Sequence, residues 1–154
     1  MRFTFTEPKP RPGGGAQWSV GASRWANVVR PLVRGALKSK APIGQGSNGS
    51  RPGRFRASIT QRTTSRTGSV LIEFGSPLSY ASFVVSGTRP HTIVPRNARV
   101  LHFRTAARGD VFAARVNHPG TRPNDFAQRA VLPILPEIQD TFSLIMHDVF
   151  GGAS

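Results

Sequence analysis

Gly-Thr-Arg-Pro occurs twice in this chain, at 87–90 and again at 120–123. Glycine opens backbone angles barred to other residues, and proline closes most of them. Each copy therefore dictates a loop of defined shape and does not suit a helix or strand interior. Around the copies lie Tyr80-Ala81, His118-Pro119, and Phe126 with Ala130 on a helical pattern. None of these strings is a catalytic constellation. They are backbone-shaping residues beside aromatic and small packing residues, and loops of fixed shape on a scaffold are where binding surfaces are built. The recurrence predicts two loops that share one local geometry.

The charge narrows the partners of such a surface. The 154 residues carry a net charge of +14, from 18 Arg and 3 Lys against 7 acidic residues. Between Glu7 and Glu73 there is no acidic residue and there are 12 Lys and Arg. Such a balance attracts polyanions: nucleic acid, acidic protein faces or anionic lipid. The length suits one domain with a real core. There is no cysteine, which excludes disulfides and thiolate metal sites. No apolar run approaches the roughly 18–20 residues of a membrane span. Met1 to Glu7 lacks the apolar region of a signal peptide.

Periodicity sets the elements. Phe3 and Phe5 alternate with polar neighbours, a short strand, and residues 8–15 read as a Pro/Gly linker that closes an N-terminal arm over 1–17. A single domain is expected over 18–150, with a tail at 151–154. From Trp18 to Lys40 the period is helical: Trp18, Ala22, Trp25, Val28, Val29, Leu32, Val33 and Ala36 share a face, with Arg30, Arg34 and Lys38 opposite. Pro31 is expected to kink or break this helix. Residues 43–53 read as a loop. The alternation from Phe55 to Thr64, a turn at 65–68 and the inward set Val70, Ile72 and Phe74 predict a hairpin. Tyr80 to Val85 reads as a short helix or turn, and Ile93-Val94, Val100 to Phe103 and Val111 to Val116 as short strands. Asn124 or Asp125 is placed to cap a helix from Phe126. That helix is interrupted at Pro133 and Pro136, then resumes with Ile138, Phe142, Ile145, Met146 and Val149 on one face and Glu137, Asp140 and Asp148 on the other. The expected fold is α+β: a mainly antiparallel sheet of four to five strands, packed by a long N-terminal helix and a broken C-terminal helix.

Familiar catalytic patterns do not emerge. His91, His102, His118 and His147 lack metal-ligand spacing. The few carboxylates give no paired acid and base, and no serine stands in a Gly-x-Ser-x-Gly elbow. The loop Gly44-Gln45-Gly46-Ser47-Asn48-Gly49 lacks the Gly-Lys-Ser/Thr ending of a phosphate loop and precedes a strand pattern. No zinc finger, RNP-type strand or KH-type Gly-x-x-Gly clamp is readable. The reading is therefore not an enzyme, with no catalytic residues, metal or cofactor. The face Arg30, Arg34, Lys38 is a candidate phosphate track or, with Asp140 on the late helix, a head-to-tail contact in which the basic early helix meets the acidic late helix of a neighbouring subunit.

Three blocks together resemble the neck, or tail-completion, proteins of tailed bacteriophages. The first is Ala41-Pro42 and, after a loop, Gly53-Arg54-Phe55-Arg56-Ala57-Ser58-Ile59. The second is Tyr80-Ala81 followed by Gly87-Thr88. The third is His118-Pro119-Gly120-Thr121 with Pro123, Phe126 and Ala130. The blocks run from about residue 41 to 131. The chain departs from the family pattern at Val85, where a Glu is usual, and in its longer 43–52 loop.

The resemblance implies a virion structural protein acting as a ring of six or twelve copies. It would join the DNA-filled head to the tail or complete the tail end. Implied partners are itself, the connector and head-closure proteins, and tail-terminator or tail-tube proteins, with DNA in the channel and no membrane. The implied location is the virion neck or tail region, and the host cytoplasm during assembly. Tyr80, Gly87, Thr88, Arg89, Pro90, His118, Pro119, Gly120, Thr121, Arg122 and Phe126 become candidate contact residues beside Arg30, Arg34, Lys38 and Asp140. The competing reading, from charge alone, is a stand-alone basic nucleic-acid-binding protein.

Overall fold

The computed structural model of the chain describes residues 2–6, 15–44, 51–66, 69–105 and 107–151. The chain is a mixture of helix and antiparallel strands, and it divides into two compact units. Residues 1–81 and 125–154 form unit 1, and residues 82–124 form unit 2. The span 18–150, read from sequence as one domain, is thus divided.

Unit 1 is built on helix α1 (Gly15–Lys40). Its apolar period buries Trp18, Ala22, Trp25, Ala26, Val29, Val33 and Leu37. The buried stripe is rotated from the expected one: Ala26 and Leu37 join it, and Val28 is exposed. The helix runs unbroken past Pro31, although proline withholds the N–H that would bond the Asn27 carbonyl. After α1 comes α2 (Arg54–Ala57). It replaces the expected strand at Phe55, and Gly53 precedes it at φ 76°.

Strands β1 (Arg2–Thr6), β2 (Thr60–Arg66) and β3 (Ser69–Gly75) make an antiparallel sheet in the order β1-β3-β2. The N-terminal strand is therefore part of unit 1, with Phe3 in register with Ile72 and Phe5 with Val70. Val70, Ile72 and Phe74 of β3 are buried, as their alternation predicts.

The C-terminal segment is broken once, at the turn that holds Pro133, and Pro136 lies in the first turn of the renewed helix. Helix α4 spans Phe126–Val131, a 3₁₀ turn covers Leu132–Ile134, and α5 runs Leu135–Gly151. Asp125 stands at the N-cap of α4 without a side-chain cap bond; its carboxylate instead meets Arg129 Nε at 2.8 Å.

α1 packs on α4, α5 and the sheet. Trp25 and Trp18 both meet Phe142 edge-on, at 5.6 and 6.2 Å between centroids. The buried Trp25 Nε1–H donates to the Ile138 carbonyl at 3.2 Å. No described helix is long and apolar enough to cross a membrane.

Unit 2 opens with most of α3 (Ala81–Ser86) and holds four strands. β4 (His91–Ile93) pairs with β7 (Val116–His118), and β5 (Leu101–Thr105) with β6 (Gly109–Ala113). Strand pairing is thus distributed over three small sheets instead of one sheet of four or five strands.

Candidate interaction site

The two Gly-Thr-Arg-Pro loops do more than share a shape: they pair with each other. The antiparallel register that sets His91 opposite His118 continues to a bridge between Thr88 and Thr121. The Thr88 N–H donates to the Thr121 carbonyl at 3.0 Å, and the Thr121 N–H donates back at 3.1 Å. The Thr121 N–H also reaches Thr88 Oγ1 at 3.0 Å, and the two hydroxyls stand 3.2 Å apart.

The glycines explain how two backbones come so close. Gly87 has φ 70° and Gly120 φ 85°, in the left-handed region that favours glycine. A Cβ on Gly87 would overlap the Thr121 carbonyl oxygen and crowd the Arg122–Pro123 peptide. A Cβ on Gly120 would overlap the Thr88 carbonyl oxygen and crowd the Arg89–Pro90 peptide. The environments are reciprocal, so the two tetrapeptides are related by an approximate local two-fold axis through the Thr88–Thr121 pair. Arg89 and Arg122 are equivalent under that axis, and both are exposed.

Neighbouring groups hold the pair. The His91 and His118 rings stack at 5.1 Å with 27° between planes. Gly120 N–H donates to His118 Nδ1 at 3.0 Å, so that nitrogen carries no proton. His91 Nδ1 lies 2.9 Å from the Arg89 carbonyl, which can only accept, so there the proton is on Nδ1. Thr92 donates to Asn117 Oδ1 at 3.0 Å, and Asn124 N–H to the Val85 carbonyl at 3.0 Å. The last bond ties α3 to the second loop.

The candidate residues separate by place. Gly87, Thr88, Arg89, Pro90, His118, Pro119, Gly120, Thr121 and Arg122 come together in unit 2. Within that set Gly87 and Gly120 face the opposite loop of the same chain, so they set the shape of the surface. Tyr80 belongs to unit 1 and is partly exposed.

Phe126 is corrected: it is only 3% exposed, its ring edge-on to Phe55 at 5.6 Å, and it is a core residue of unit 1. Arg34 is exposed on α1 and Lys38 is half-buried. Arg30 bonds the Ala26 carbonyl at 3.0 Å and the Asn27 side-chain oxygen. Asp140 is exposed on α5. The two helices read as meeting across a subunit boundary already meet within one chain, through their apolar faces and through Arg24 and Asp148 at 2.7 Å.

Sequence reasoning missed the face around Phe112 on β6. Phe112 is 66% exposed and stacks on His102 at 4.6 Å, while His102 Nε2 meets Asp110 Oδ1 at 3.2 Å. The signal was a phenylalanine in the polar phase of a strand.

The arrangement presents fixed shape and positive charge. Among the described residues no group of three histidines or carboxylates is placed to hold a metal ion. Compared with protein-family models, with curated proteins and with solved structures, the chain matches none.

Proposed function

We propose that the protein is a structural virion component that acts in several copies, as a ring at the joint between head and tail of a tailed bacteriophage. It joins the DNA-filled head to the tail or completes the tail end. The observation that carries this reading is the reciprocal pairing of the two Gly-Thr-Arg-Pro loops. Two strings that bear the family resemblance, Gly87-Thr88 and His118-Pro119-Gly120-Thr121, are the strings that lock together. A surface set by backbone geometry suits a joint whose work is shape complementarity. Arg89 and Arg122 on its flanks suit acidic partner faces or DNA in a channel.

The test is electron microscopy of particles made without this gene. Filled heads and free tails that fail to join support the reading, and abnormal tail ends place the protein on the tail side. Normal infectious particles overturn it.

A second reading, a stand-alone nucleic-acid-binding protein, draws on one feature of unit 2. Residues 82–124 hold seven arginines and a single acidic residue, Asp110. Binding of duplex DNA that weakens steeply from low to physiological salt favours it. Affinity insensitive to salt removes it.

A further inference from the structure

Unit 2 has no buried core among its described residues. Among its described residues none of the apolar side chains is buried, and Phe83 and Phe112 are 58% and 66% exposed. Isolated two-stranded sheets are marginal in water, so a surface of this kind calls for a cover. The outer face of the β5–β6 hairpin is the most developed part of it. Phe112 stands there, held flat on His102, and Arg104 lies on the same face two residues along from His102. Asp110, the unit's one carboxylate, is engaged by His102.

The chain also carries the complementary surface. Helix α5 has no Lys or Arg, and Glu137, Asp140, Leu144 and Asp148 follow one stripe of its exposed side. Three of the seven acidic residues of a strongly basic chain are gathered here, and one of them, Asp148, is engaged by Arg24 of α1. At the stripe's centre Leu144 is 72% exposed, the most exposed of the large apolar side chains among the described residues.

We propose that the outer face of the β5–β6 hairpin, centred on Phe112, docks on the acidic stripe of α5, centred on Leu144, of a second copy of this chain. An exposed aromatic anchor beside Arg104, in a unit with seven arginines and one carboxylate, matches an exposed leucine among carboxylates, which is the apolar centre and charged rim of a protein interface. A second copy is the partner on grounds of charge: unit 2 holds seven arginines and one carboxylate, and α5 holds three carboxylates and no Lys or Arg. Copies with a charge of +14 otherwise repel. The two patches differ, so the contact is heterologous: each copy offers its hairpin to one neighbour and its α5 to the next. The inference deepens the multi-copy reading and rests on it. It keeps Asp140 as a contact residue and replaces the α1 arginines by those of the hairpin.

The experiment is the mass of the full-length protein in solution, by light scattering and sedimentation over a wide concentration range. It compares wild type, Phe112→Asp, Leu144→Asp and an equimolar mixture of the two variants. Wild type is expected as a multi-copy assembly that loosens as salt is raised. Each variant is expected to associate at least about thirty-fold more weakly, as for loss of a central anchor. The mixture is expected to form a dimer and nothing larger, because one intact hairpin and one intact stripe remain between the two proteins. Both positions are exposed, so unchanged melting confirms folding, and Arg104→Glu provides a second, milder lesion.

A monomeric wild type at all concentrations overturns the proposal, as do unweakened variants or a mixture that stays monomeric. The particle phenotype is read separately. Unjoined heads and tails together with a monomeric wild type would sink this contact and leave the virion role standing.

Discussion

Units 1 and 2 are held by different means. In unit 1 the side chains do the holding: Trp18 and Trp25 meet Phe142, Phe55 meets Phe126, and Val29, Val33 and Ile72 are fully buried. In unit 2 the only buried residue among those described is Gly87, which has no side chain. Its shape comes from peptide groups that exchange hydrogen bonds across Thr88 and Thr121, and from two glycines at positive φ. A side-chain core responds as one cooperative body, because removing any large member leaves a cavity felt throughout. A backbone clasp responds locally. One chain thus combines a unit held by a side-chain core with a unit whose form is set by its backbone and whose large apolar side chains, among those described, are not buried.

The sharpest way to break the comparison is at the centre of unit 1. Trp25→Ala removes a buried ring, its edge contact with Phe142 and its bond to the Ile138 carbonyl. Loss of about 3–5 kcal/mol is expected, a large part of a typical domain's stability. It should appear as a markedly lower urea midpoint, followed by tryptophan fluorescence from Trp18. A small shift would mean that α1 and α5 do not depend on each other.

Next in size is Gly120→Ala in unit 2. An alanine at φ 85° costs about 1–2 kcal/mol from handedness alone, and its Cβ collides with the Thr88 carbonyl oxygen. Faster hydrogen exchange at the amides of Thr88 and Thr121 is expected, with the unit 1 midpoint unmoved. Unchanged exchange would show that the clasp tolerates a side chain there.

How much of this was legible in the sequence follows the range of the interactions. The 3.6-residue period of α1 was readable because it persists for seven turns, and the break at Pro133, with Pro136 in the first turn of the renewed helix, because proline acts locally. The segment at Phe55 was misread as strand. Its alternation fits either structure, and what selects a four-residue helix is burial of Phe55 against Phe126, a contact far away in sequence. The same remoteness made Phe126 look like a contact residue. The Gly-Thr-Arg-Pro recurrence was plain. That the copies clasp each other was not, because sequence shows the loops' shapes and not the register that continues from β4 and β7. Val28 and Leu37 changed places in the α1 face because a period fixes the angular spacing of a stripe more firmly than its centre.

A milder probe of the clasp is Thr88→Val, which keeps the β-branched shape and removes the hydroxyl. It deletes the bond from the Thr121 N–H and the contact between the two hydroxyls, while the reciprocal backbone bonds remain possible. About 1 kcal/mol of local stability should be lost, seen as faster exchange at Thr121 and again not in the midpoint of unit 1. An effect as large as that of Gly120→Ala would shift the weight of the clasp from backbone to side chains and erase the contrast between the units.

The smallest effect is expected where charge, and not packing, joins two elements of unit 1. Arg24 and Asp148 meet at 2.7 Å between α1 and α5, with both side chains more than half exposed, 54% and 63%. Water and salt screen such a pair, and ordering two long side chains offsets much of the attraction. Arg24→Ala should therefore cost well under about 1 kcal/mol, and the cost should shrink further as salt is raised. The variant is measured beside Trp25→Ala in the same urea titration, one residue along the same helix. If Arg24 proved the more costly of the two, the α1–α5 contact would be electrostatic. The acidic side of α5 would then be needed within the chain and would not be available to a second copy.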